Sequence, residues 1–155
     1  MKPLADYHPI KALRPFSLVV ALIGAGLGVL LALLEGHSDL WRGALIVVAA
    51  LMAQAGINLI NDVEDLKTVD KLNRATRRRI LSNTKIAALL FALCFATAGY
   101  FAALHGWQVW VYSLAIALLT LSYNLGPLNF KSRGLSLFHV FLLTGVLLVQ
   151  GAYFA

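Results

Sequence analysis

The sequence predicts an all-α, polytopic transmembrane helix bundle of about five spans. Three observations carry this. The 155 residues are 60% hydrophobic, with a mean hydropathy of +0.79. Only 13% are charged, where a soluble domain carries roughly 25%. The apolar residues gather into five runs with charge confined between them, and a span needs about 20 such residues to cross roughly 30 Å of hydrocarbon.

The first run is Pro15 to Leu34. It reads as a span rather than a secretory signal, because it exceeds a usual signal core and no small-residue cleavage site stands out before Glu35. Gly24 and Gly28 within it form a small-xxx-small spacing, which predicts close packing against another helix. The second run is Gly43 to Ile60, the third Ile86 to Leu104, the fourth Trp107 to about Tyr123, and the fifth Leu135 to Ala155. Cys94 lies in the third run and reads as a small core or lipid-facing residue. His8, His37, His105 and His139 have no ligand-like spacing and read as structural or interfacial.

The connecting segments alternate in charge. Three of the 13 Lys and Arg precede the first run, seven lie between the second and third (Lys67, Lys71, Arg74, Arg77, Arg78, Arg79, Lys85), and two follow the fourth (Lys131, Arg133). Arg42 alone lies on the opposite side. By the positive-inside rule this predicts a multi-pass protein of the cytoplasmic (inner) membrane with its N-terminus in the cytoplasm. The net charge of +6 is accounted for in the same way, and no nucleic-acid partner is expected. The expected division is a cytoplasmic N-terminal segment, 1–14, and a membrane domain, 15–155.

The informative stretch closes the second run: Gln54, Asn58, Asn61, Asp62, Glu64, Asp65 and, further on, Asp70. An Asp at a bilayer centre costs about 2.5–3.5 kcal/mol, so the span is expected to end near Asn61 with the acids at the cytoplasmic mouth. If the helix continues one more turn, Gln54, Asn58, Asn61, Asp62 and Asp65 share an arc of roughly 100°. Glu64 falls outside the arc, and Asp70 is expected in the loop. Such hard oxygen donors suit Mg²⁺ beside phosphate oxygens, and the lack of histidine argues against zinc. A solvated helix end would account for the acids. It does not account for Gln54 and Asn58 a turn or more deeper, where polar groups normally face a bundle interior or a cavity.

The arginines that follow have two readings: positive-inside charge, or bidentate recognition of a diphosphate. The loop after the fourth run, Tyr123-Asn-Leu-Gly126-Pro127-Leu-Asn-Phe-Lys131, contains a turn marked by Gly-Pro. It reads either as a plain connection or as part of a site on the same membrane side as the acids.

These residues resemble the UbiA-type intramembrane prenyltransferases. Leu13-Arg14-Pro15-Phe16-Ser17-Leu18 is similar to the family's entry to its first helix. The stretch from Gln54 to Asp70 resembles the first Asp-rich motif, most like that of the 1,4-dihydroxy-2-naphthoate prenyltransferase branch of quinone (menaquinone, ubiquinone) biosynthesis. Tyr123, Gly126-Pro127, Lys131 and Gly134-Leu135, then Val140-Phe141, Gly145 and Gly151-Ala152-Tyr153, resemble the fourth loop and fifth helix.

The resemblance implies a nine-helix bundle open to the cytoplasm. It implies Mg²⁺-dependent transfer of a prenyl group from an isoprenyl diphosphate to an aromatic acceptor within the bilayer. Carried over, Asn58, Asp62 and Asp65 are metal-site residues, with Asp62 and Asp65 catalytic. Arg78, Tyr123 and Lys131 contact the diphosphate, and Gln54, Asn61 and Asp70 support. Residues 77–83 (RRRILSN) stand where the family often has Asn-Arg-Pro-Leu-x-Ser-Gly, and Ser136-Leu137 where Gly-Glu is common. The family's second Asp-rich motif lies beyond the fifth helix, so the chain is expected to supply the N-terminal half of a site completed by a second half-length subunit or another copy. A non-catalytic, partner-binding membrane subunit is the competing reading.

Overall fold

The computed structural model describes residues 9–37, 39–66, 74–124 and 135–155. Within these stretches, the side chains of Pro9, Lys11, Glu64, Asp65, Leu121, Tyr123, Asn124 and Ser136 lie outside the description. The described residues form the helices α1 (Pro9–Ala12), α2 (Pro15–Leu34), α3 (Leu40–Asp65), α4 (Arg74–His105), α5 (Gln108–Asn124), α6 (Ser136–Val140) and α7 (Leu148–Phe154). A π-helical stretch, Phe141–Leu147, joins α6 to α7, so that the last run is one continuous rod.

Each boundary follows from local chemistry. Pro15 opens α2, where its missing N–H is no loss. The α2–α3 and α4–α5 turns use Gly36 and Gly106 at φ 97° and 95°, backbone that a Cβ would oppose. Asp39 opens α3 by accepting from the Arg42 backbone N–H at 3.1 Å and pairing with its side chain at 3.0 Å. Helix α4 begins at Arg74 rather than after the basic residues. The arginines expected in a loop are helical, because Arg, Ala and Leu are strong helix formers and nothing breaks the run to Ile86.

Among the described residues, four helices are long and apolar enough to cross a membrane, in the stretches Pro15–Leu34, Leu40–Val63, Arg74–His105 and Leu137–Phe154; α5 is a shorter apolar helix. Their outward faces carry Leu22, Ile23, Leu30, Leu89, Leu114 and Leu118, all exposed. Helices apolar on every side are at home in lipid, and the chain is a multi-pass membrane protein.

Helix α2 packs on both α3 and α7. The Gly24/Gly28 spacing marks the α2–α7 crossing. A Cβ on Gly28 would lie 2.7 Å from Ala152 Cβ and against the Val149 carbonyl, and one on Gly24 would lie 3.0 Å from the Thr144 carbonyl. Only glycine allows this approach, as in other membrane helix pairs. Cys94 packs between α4 and α3, its thiol donating to the Ala49 carbonyl at 3.2 Å. A small core of Ala12, Leu59 and Ala87, flanked by Leu13, Ile60, Leu90 and Phe91, ties α1, α3 and α4 together. That core lies directly beneath the polar end of α3.

Candidate functional site

Helix α3 continues past the apolar run to Asp65. Its last turns therefore place Asn58, Asn61 and Asp62 on one stripe, as a 3.6-residue period requires. Asn58 is 2% exposed, Asn61 7% and Asp62 8%. Three polar residues buried at the end of a span are not a solvated helix end; they face the interior of the bundle. Leu59, beside the stripe, is buried in the apolar core.

Asn58 is the hub. Its Nδ2 donates to the Leu13 carbonyl at 2.6 Å and to Ser17 Oγ at 2.7 Å, and its Oδ1 accepts from Gln54 Nε2 at 3.3 Å. Buried amides require such partners. The elbow between α1 and α2 is thereby pinned to α3. Ser17 closes the clamp from its own side: its N–H and Oγ both donate to the Arg14 carbonyl, at 2.9 and 2.8 Å.

The pinned elbow holds Arg14 at φ 48°, ψ 71°, in the left-handed region, immediately before Pro15. A non-glycine residue there costs on the order of 1–3 kcal/mol and persists only where its surroundings impose it. The result is that Arg14 Nη2 reaches Asp62 Oδ1 at 3.2 Å, across 48 positions of sequence. Asp62 is thus buried with a cation beside it.

On a different face of α3 from the stripe, an apolar cavity of about 410 Å³ lies between α3, α4, α5 and the last rod. It shares Ile57 and Ile60 with the site end of α3. Its far end is lined by Ile46, Phe101, Val109 and Ala152. Along α3, Ile46 to Ile60 corresponds to roughly 21 Å at 1.5 Å per residue. Small residues (Ala49, Ala50, Ala53, Ala98, Ala117) keep it open.

The structure brings Gln54, Asn58, Asn61 and Asp62 to one place. Asp65 is the last residue of α3, and Tyr123 lies in the last turn of α5; their side chains, like Asp70 and Lys131 as whole residues, are outside the description. Arg78 is exposed. It stands about 200° around α4 from each of the buried Thr76 and Ile80, on the face away from the packed one. Among the described residues no ion pair or hydrogen bond joins Arg78 to the stripe. Arg14, by contrast, is a site residue that sequence reasoning missed. The available signal was a cation immediately before the first run, on the same expected membrane side as the acids.

Among the described residues, no three His, Cys, Asp or Glu side chains gather into a metal-holding group. The donors that do gather are hard oxygens, and Asn58 Oδ1 retains a lone pair beyond the one that accepts from Gln54. The chemistry fits a cation that takes one or two carboxylates and fills its remaining positions with water and phosphate oxygens.

The profile of the UbiA prenyltransferase family matches residues 17–155, nearly the whole chain. No curated protein and no solved structure matches it.

Proposed function

The chain belongs to the UbiA prenyltransferase family, and on that premise we propose that it takes part in Mg²⁺-dependent transfer of a prenyl group from an isoprenyl diphosphate to an aromatic quinone precursor, of the kind used by the naphthoate branch. The observation that carries this reading is the buried Asn58–Asn61–Asp62 stripe, with a cation at its rim and an apolar cavity on a neighbouring face of the same helix.

The parts divide the labour. Asp62 and Asp65, with Asn58 Oδ1, would hold a Mg²⁺ ion, which would supply positive charge to the diphosphate. Gln54 and the elbow fix Asn58, and Asn61 and Asp70 support the same end. Arg78, Tyr123 and Lys131 are proposed as further contacts to the diphosphate. The prenyl tail lies in the apolar cavity, which offers it about 410 Å³ lined almost wholly by carbon.

In the reaction the allylic C–O bond breaks and the diphosphate leaves with the electron pair. Cations placed where that negative charge grows lower the barrier. A ring carbon of the acceptor attacks the allylic cation, a C–C bond forms, and the ring loses a proton. No acidic residue follows Asp70 in the sequence, and a second acidic arm on a partner subunit is part of the proposal.

The test is prenyl transfer in lipid nanodiscs from geranyl, farnesyl and geranylgeranyl diphosphate, with the chain alone and with a co-expressed membrane partner bearing an Asp-x-x-x-Asp motif. Mg²⁺-dependent product that disappears in Asp62→Asn supports the reading. Product formation indifferent to Mg²⁺ and to Asp62→Asn, or none in any combination, would favour a non-catalytic, partner-binding subunit.

A further inference from the structure

We infer that Thr120 receives and orients the aromatic acceptor: its hydroxyl binds a ring oxygen at the Ile57–Ile60 end of the apolar cavity. The inference rests on the prenyl-transfer reading above and adds to it a seat for the second substrate.

The observation is a hydroxyl that the fold does not use. Three other hydroxyls are spent on their own helices: Thr97 donates to the Leu93 carbonyl, Ser122 to that of Leu119 and Thr144 to that of Val140, at 2.9, 2.7 and 2.7 Å. Thr120 Oγ1 is buried and makes no hydrogen bond. The carbonyl four residues back, the kind of partner that Thr97 and Thr144 take, is left alone. A buried hydroxyl in that state is costly and calls for a reason.

Its place supplies one. Thr120 lines the cavity together with Ile57, Ile60, Ile116 and Ala117, all apolar. Its depth follows from the course of α5. That helix starts just after His105, which lines a second cavity beside Ile46, and Ile46 also stands at the far end of the first. Thr120 lies roughly 17 Å along α5 from Val109 at that far end. It therefore lines the opposite end, where Ile57 and Ile60 enter from the polar end of α3.

Chemistry selects the occupant. An isoprenyl tail is carbon and hydrogen throughout and offers a hydroxyl nothing. A water needs two to four polar partners, and the side chains around Thr120 in the lining have none. A hydroxy- or keto-substituted aromatic ring fits, with its faces on isoleucine and alanine and one oxygen on Thr120. Threonine in a helix divides between two χ1 rotamers, and turning from one to the other exchanges methyl for hydroxyl on the cavity side. Held by that oxygen, the ring presents one edge to the allylic carbon. Thr120 thus sets which ring carbon is prenylated and disfavours aromatic molecules without the oxygen.

The measurement is equilibrium dialysis of 2-methyl-1,4-naphthoquinone and 2-methylnaphthalene against the full chain in nanodiscs, each corrected for uptake by empty nanodiscs. The two share a carbon skeleton, with and without two oxygens. Wild type should favour the quinone by about threefold to tenfold, the reach of one neutral hydrogen bond. Thr120→Val, which keeps the shape and removes the hydroxyl, should lose that preference, and Thr120→Ser should keep it. Without ligand, Thr120→Val should unfold at or above the wild-type temperature, because the hydroxyl holds nothing in the fold. Equal binding of the two compounds by wild type, an undiminished preference in Thr120→Val, or a lowered unfolding temperature in that variant overturns the inference. Mg²⁺-dependent binding of farnesyl diphosphate should be unchanged in Thr120→Val; if wild type itself shows none, the prenyl-transfer reading fails instead.

Discussion

Replacing Asn58 by alanine tests how the site end is built. Asn58 is fully buried and donates at 2.6 Å to Leu13 O and at 2.7 Å to Ser17 Oγ, while accepting from Gln54 at 3.3 Å. Two short hydrogen bonds contribute about 1 kcal/mol each, and a buried carbonyl left without its donor adds roughly 1–3 kcal/mol. The expected loss is therefore about 3–5 kcal/mol of stability. Gln54→Ala, which gives up the longer bond, should cost under about 1 kcal/mol. The two should be compared by reversible unfolding in mixed detergent. Hydrogen exchange at residues 12–17 should rise in Asn58→Ala and change little in Gln54→Ala. A double-mutant cycle of Asn58→Ala with Ser17→Ala should return a coupling on the order of 0.5–2 kcal/mol, because the two side chains touch. The reasoning is refuted if Asn58→Ala lies within about 0.5 kcal/mol of wild type with elbow exchange unchanged.

Other substitutions probe the rest of the bundle. Gly28→Ala should destabilise by about 1–3 kcal/mol, since its Cβ would fall 2.7 Å from Ala152 Cβ. Gly26→Ala, which meets nothing within 4 Å, should be neutral or gain up to about 1 kcal/mol from helix propensity; thermal unfolding of the pair in nanodiscs checks the ordering. Ala53→Phe places a ring in the cavity and should shift turnover from geranylgeranyl toward geranyl diphosphate, read as the ratio of kcat/KM values. Tyr153→Phe removes the exposed hydrogen bond from the Tyr153 hydroxyl to Glu35 and should cost under about 1 kcal/mol by the same unfolding assay.

Much of this was legible in the sequence, for identifiable reasons. The first span is the same, Pro15 to Leu34, by pattern and by structure, because proline opens it and Glu35 ends the apolar run. The oxygen-rich stripe followed from helical period alone, once α3 was allowed one turn beyond the lipid. The Gly24/Gly28 spacing announced a close crossing, though not that its partner would be α7.

What stayed hidden was long-range or conformational. The Arg14–Asp62 pair joins positions 48 apart and depends on a left-handed backbone that no periodicity encodes. The cavity is assembled from α3, α4, α5 and the last rod, so no single segment announces it. The π-helical stretch Phe141–Leu147 lies in a run that reads as ordinary helix. Arg77 to Arg79 looked like loop charge because composition, not helix propensity, dominates the reading of a connection between spans.

The central claim is that the α3 stripe is a metal–diphosphate site. Its most direct measurement is equilibrium binding of radiolabelled farnesyl diphosphate to the chain in nanodiscs, with Mg²⁺ or with chelator, for wild type and Asp62→Asn. The account predicts binding that Mg²⁺ strengthens by at least about tenfold, the effect of roughly 1.4 kcal/mol, and that loses this dependence in Asp62→Asn. Binding of equal strength in Mg²⁺ and chelator, unchanged by the substitution, would contradict it.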